Sequence, residues 1–199
     1  MIAYTRLAFC LFLIAGVLLY SHSHVCASSA DVPYYPLAKG YSWKYQVYVS
    51  GRRTSSTVEW RVTSADNTKD GVVFQVWQFP SQSDDEAMNL HVSKEGIEEI
   101  STGTVILKYP SVTGDRWATT KPTHRVFRVI SAGHPCHVGK ITSEDCISVE
   151  DQDEALKFRT VTTYAKGIGP IKYMYFKKGS ASDIPTQTVE LISAHLAPK

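Results

Sequence analysis

Tyr35-Pro36 is followed by Gly40 and Trp43, and 74 residues further on Tyr109-Pro110 is followed by Gly114 and Trp117. Four identities at one ungapped offset, in a chain with only four tryptophans, mark an internal repeat. Each residue type has a physical reason to be there. Pro keeps the approaching segment extended, Gly supplies a turn conformation that other residues avoid, and Trp starts a strand by entering the core. The chain reads as two related β-rich halves, about 34–107 and 108–199, joined without a linker. At roughly 75 residues each they are too small for separate cores and are expected to share one.

After each Trp the hydrophobic period is two. Trp43, Tyr45, Val47 and Val49 fall on one face with Lys44, Gln46 and Ser50 opposite, and Val58, Trp60 and Val62 alternate with Thr57, Glu59, Arg61 and Thr63. That is the pattern of half-buried antiparallel strands. Gly51 to Thr54 and Asn67 to Gly71 read as turns. Further strands are predicted near 72–79, 90–93, 96–100, 104–109, 124–130, 146–150, 156–164, 171–176 and 188–195, with Pro80 to Met88 as a loop. No segment carries the period of a three-turn amphipathic helix. The expected fold is all-β: about ten strands in a strongly curved antiparallel sheet, half-barrel or barrel-like, with a β-sandwich as the alternative.

The first 27 residues stand outside this pattern. Arg6 precedes an unbroken apolar run from Leu7 to Tyr20, and Ser21 to Ala27 is short and polar, which is the layout of a secretory signal. The run is shorter than the roughly 20 residues that span a bilayer. Small residues at Val25 and Ala27 suit cleavage before Ser28, with Ala30 as a second choice; Val25 before Cys26 argues against lipidation. The expected mature protein is one domain, 28–199, periplasmic or extracellular, with no membrane span. Its charge is close to zero, since the whole chain carries only +2. With no run of like charges, nucleic acid is not an expected partner.

Loss of the signal leaves two cysteines, Cys136 and Cys146. In an oxidising compartment such a pair reads as a disulfide, which would tie the long connection His134 to Gly139 onto the strand starting at Cys146. Closing that loop stabilises the fold by about 2.8 kcal/mol in the chain-entropy model. His134, Cys136 and His137 also have the chemistry of a zinc or copper site, but a fourth donor is missing and a bridged thiolate cannot bind metal. Gly133 to His137 lacks one cysteine of a haem-attachment motif.

Tyr35-Pro36-Leu37-x-x-Gly40-x-x-Trp43-x-Tyr45, Lys108-Tyr109-Pro110-x-x-x-Gly114-x-x-Trp117, Asp145-Cys146-Ile147-x-Val149 and Tyr164-Ala165-x-Gly167-Ile168-Gly169-x-Ile171-Lys172 together resemble a group of exported bacterial β-rich proteins. More distantly the chain is similar to half-barrel envelope proteins that include the carriers LolA and LolB, although it has no evident helical lid of the carriers' kind. The resemblance implies a curved sheet able to hold something apolar. It implies no catalytic residue.

Chemistry is sparse elsewhere. There is no Gly-x-Ser-x-Gly elbow or His-Glu-x-x-His, and His91, His124 and His195 are far apart. Glu150 to Glu154 lacks the glycine and distal Glu of a calcium loop and reads as a solvated turn. Gly167-Ile168-Gly169-Pro170 is too short for a dinucleotide fingerprint. Tyr164, Tyr173, Tyr175 and Phe176 read as sheet core. The expectation is a non-catalytic envelope protein without cofactor or metal, binding a lipid or other apolar small molecule against Trp43, Tyr45, Trp60, Trp77 and Trp117. The alternative is an interaction component that offers sheet edges to an envelope protein partner.

Overall fold

The computed structural model describes residues 33–80, 87–119, 124–153, 158–177 and 184–196. The signal segment, most of the 80–88 loop and Glu154 lie outside the described residues. All twelve strands belong to a single antiparallel sheet, which excludes the sandwich.

The first meander holds β1 (Ser42–Val49), β2 (Arg52–Asn67), β3 (Val72–Phe79), β4 (Ala87–Ser93), β5 (Gly96–Glu99) and β6 (Thr104–Lys108). The second holds β7 (Arg116–Thr119), β8 (Arg125–Val138), β9 (Ile141–Asp153), β10 (Phe158–Ala165), β11 (Gly169–Lys177) and β12 (Gln187–His195). Within each meander every strand pairs with its neighbour in sequence. The two are joined through β1 and β12, so β6 and β7 form the two ends of the sheet. Curvature brings those ends together, and the sheet becomes a nearly closed barrel: Trp117 Nε1 on β7 donates to Val105 O on β6 at 2.6 Å. Among the described residues no helix is long and apolar enough to cross a membrane.

The core is the barrel interior. Trp43, Tyr45, Val62, Val76, Leu90 and Ile147 are at most 1% exposed, and the period-two pattern places them inward because successive strand residues point to opposite faces. Both copies of the repeated motif make the same backbone bonds. Gly40 N donates to Val62 O and Val62 N to Tyr41 O; Gly114 N donates to Val129 O and Val129 N to Asp115 O, all at 2.9 Å. Gly40 has φ 90° and Gly114 φ 99°, the left-handed region that a side chain disfavours.

Three expectations need correction. Among the described residues the strands number twelve where about ten are expected; the short β7 is carried by Trp117 alone among large apolar residues. His134 to Val138 is no loose connection but the end of β8, paired with β9 through two register shifts, one on either side of His134, that accommodate Gly133 and Pro135. The Cys136–Cys146 disulfide crosses this hairpin with Cα atoms 6.0 Å apart. Finally, Glu150 to Asp153 is not a solvated turn but strand β9. Countercharge makes this feasible: Glu150, 3% exposed, accepts from Arg128 at 2.8 Å and Arg159 at 3.1 Å, and a buried carboxylate is tolerated only when paired in this way.

Candidate functional site: a cavity inside the barrel

A cavity of about 230 Å³ lies within the barrel. One wall is apolar: Met88, Leu90, Ile106, Phe127 and Val149. The opposite wall is aromatic and hydroxylic, from Trp60, Tyr164, Tyr173, Tyr175, Thr160 and Thr162, with Tyr35 beneath it. Pairing explains the second wall. Thr160, Thr162 and Tyr164 share the inner face of β10, and Tyr175 and Tyr173 on β11 sit directly opposite the first two.

Arg125 and Asp151 supply charge at one end. They form a two-pronged ion pair, and Thr160 Oγ1 donates to the same carboxylate at 3.4 Å. The Arg125 guanidinium also lies 5.2 Å from the centre of the Phe127 ring. The pair sits toward the end where β3, β9 and β11 finish. Tyr164 is four residues away along β10, about 13 Å at the usual rise of a strand.

The other end is built from the first copy of the motif. The Tyr35 ring lies 5.3 Å from Trp43 and 6.0 Å from Tyr164. Trp43 Nε1 donates to Ile168 O at 2.6 Å, and Tyr45 OH to Pro170 O at 3.0 Å. A Cβ on Gly169 would stand 2.9 Å from Trp43 Nε1 and 3.3 Å from Tyr35 Cδ2, so only glycine admits this closure. Tyr35, 3% exposed, lines the cavity, and its hydroxyl has no hydrogen-bond partner in the protein.

Burial dominates the electrostatics of the phenols. It raises the Tyr35, Tyr45, Tyr164, Tyr173 and Tyr175 hydroxyls above the ordinary tyrosine range, because the phenolate would lose its solvation. Tyr109, from the second motif, is pushed up to about 12 for the same reason. All of these groups are neutral donors and acceptors at physiological pH.

The five aromatic candidates from the sequence separate here. Trp60 lines the cavity, 5.0 Å from Tyr173, with Nε1 donating to Gln78 Oε1 at 3.1 Å. Trp43 and Tyr45 are fully buried behind the lining with their polar atoms bonded to backbone. Trp77 alternates to the face opposite Val76, the outside of the sheet. Trp117 stacks on Phe127 at 5.3 Å and borders the seam between β6 and β7. Tyr35, Arg125, Asp151, Thr160 and Thr162 were not candidates. The signal that finds them is an Arg and an Asp in period with inward apolar residues, Arg125 with Phe127 and Asp151 with Val149. Among the described residues no group of three or more His, Cys, Asp or Glu is placed to hold a metal ion.

Fold and cavity define an all-β barrel with a small closed-ended interior site. No protein-family model matches the chain, and no curated protein aligns with it. Among solved structures it is similar to a Bacteroides fragilis protein described as exported and as having a YmcC-like fold, with 11% identity, a TM-score of 0.55, and 82% of this chain and 99% of that chain covered. A Parabacteroides distasonis protein described as a lipoprotein aligns over the same shares with 9% identity and a TM-score of 0.47. At this identity the first likeness shows the fold alone.

Proposed function

We propose that the protein is an exported, non-catalytic binding protein that holds an apolar or amphipathic small molecule inside its barrel. The observation that carries the reading is the interior cavity with one apolar wall and one hydroxylic wall. Well-packed interiors leave few voids larger than a water molecule. A void that combines aromatic faces, hydroxyls and an ion pair has the mixed lining of small-molecule sites. Export rests on the secretory signal layout, and the Bacteroides fragilis protein of similar fold is also described as exported. The size argues against enclosing a two-chain lipid, because sites for drug-sized ligands run from about 300 Å³ upward.

A second reading, an interaction component of an envelope assembly, is favoured by the ends of the sheet. No ladder joins β6 to β7, and strand edges without ladders can accept a partner strand. Those edges are only five and four residues long and carry Lys108 and Arg116, features that blunt strand addition, so the cavity reading ranks first.

The test is native mass spectrometry of the mature protein purified from its own envelope, followed by organic extraction. A stoichiometric apolar molecule is the expected result. An empty monomer that also fails to take up small aromatic compounds would refute the binding reading.

A further inference from the structure

The geometry points to Arg125 as the residue that recognises the ligand: it binds an uncharged acceptor, a ketone, ester or amide carbonyl, on a molecule whose apolar body lies against Leu90, Phe127 and Val149. This rests on the cavity being a binding site and names the chemistry it selects.

The guanidinium is turned into the barrel. The residue in register opposite Arg125 is Asp153, the last of β9. The guanidinium instead bonds Asp151, which lies deeper along β9 and is itself in register with Phe127. Its centre comes within 5.2 Å of the Phe127 ring, and Asp151 and Phe127 both line the cavity. Arg125 therefore leans over the apolar wall instead of reaching out from the end of the sheet.

Its donors are not used up. Asp151 accepts from Nε and Nη2, and Thr160 Oγ1 donates to the same carboxylate and helps to hold it. Nη1 has no partner among the described residues. The Arg125 side chain is 28% exposed, so this charged donor can be reached.

Charge selection follows from the pair. Among the described residues Arg125 and Asp151 are the ionic groups of the lining, and they neutralise each other. The remaining polar lining is threonine, tyrosine and indole, and burial keeps the phenols neutral. An anion at Arg125 would lie beside Asp151, and a cation at Asp151 would lie beside Arg125. Either leaves a net charge in a mostly apolar interior, which is costly. A neutral carbonyl accepts from Nη1 without that penalty, and a hydrogen bond from a charged donor is stronger than one between neutral groups.

The test uses 2-acetylnaphthalene as the carbonyl probe, naphthalene without the carbonyl, 2-naphthoate as the anion and 2-naphthylmethylammonium as the cation, with binding measured by equilibrium dialysis. The ketone is expected to bind about tenfold tighter than naphthalene and than either ion. Arg125→Met should remove the ketone's advantage over naphthalene. Because that variant strips Asp151 of its cation and can cost the fold, Asp151→Asn is the second variant. It leaves the guanidinium uncompensated and should raise 2-naphthoate binding at least about tenfold. An ion pair with a merely structural role would not exchange the preference from ketone to carboxylate. Equal binding of ketone and naphthalene by the native protein, or a ketone advantage that survives Arg125→Met, overturns the donor role. Native binding of either ion as tight as that of the ketone, or no gain of 2-naphthoate in Asp151→Asn, overturns the charge selection. If none of these compounds binds, naphthalene included, the binding-protein reading itself falls.

Discussion

The two places where one meander meets the other are built from the same motif and end differently. At the first, Trp43 leads into β1, which pairs with β12 over eight registered positions from Ser42↔His195 to Val49↔Gln187. At the second, Trp117 leads into β7, which faces β6 without a ladder. Each indole donates to a backbone carbonyl at 2.6 Å, Trp43 to Ile168 and Trp117 to Val105. The indole contact therefore does not decide whether a junction zips. Strand length and edge charge do: β1 and β12 have eight and nine residues, β6 and β7 five and four, and the shorter pair is flanked by Lys108 and Arg116. Charged residues on an edge blunt strand pairing, and short edges have few ladder bonds to gain. The laddered junction also carries the tyrosine cluster, while the seam is lined by Thr102, Val105, Lys108, Trp117 and Thr119.

The largest effect that would sharpen this contrast is alkaline unfolding. The buried phenols are raised in the folded state, so their contribution is complete below pH 10, where the unfolded chain is also protonated. It is lost as pH climbs toward 12, because the unfolded state then releases protons that the folded state retains. Phenolate absorbance should therefore rise together with the loss of near-ultraviolet dichroism, in one steep transition above pH 10. Gradual phenol ionisation in an intact fold would show that the laddered side does not seal its tyrosines.

The next effect compares the tryptophans. Trp43→Ala should cost about 4 kcal/mol in urea unfolding, and Trp117→Ala about half as much, because solvent at the open seam can fill the gap left there. Equal costs would mean that the seam is as tightly built as the ladder. The smallest effect compares glycines. Gly169→Ala is expected to lose about 3 kcal/mol, from strain at φ +106° and from the clash with Trp43 and Tyr35, whereas Gly114→Ala at φ +99°, with nothing within 4 Å, loses about 1 kcal/mol. A Gly114→Ala variant as unstable as Gly169→Ala would place hidden packing at the second motif.

Much of the architecture was legible because it depends on period. The inward sets Trp43, Tyr45, Val47 and Val58, Trp60, Val62 follow from alternation, and the disulfide follows from two cysteines in an exported chain. The β8–β9 hairpin was not legible in full. Pro135 and the acids from Glu150 to Asp153 oppose strand by local preference, and bulges and arginines from neighbouring strands override them. Aromatic residues were the obvious lining candidates, yet of the five only Trp60 faces the cavity.

The sequence by itself determined the class of fold, the face each strand turns inward and the covalent cross-link, since these depend on near neighbours in the chain and on redox environment. Only the tertiary structure decided which inward residues fill the core and which bound the cavity. Tyr35, Arg125, Asp151 and Thr160 are as much as 125 residues apart, and they converge because the sheet curves until β1 meets β12 and β6 approaches β7. Curvature is a collective property of twelve paired strands, and no local pattern encodes where it leaves a gap.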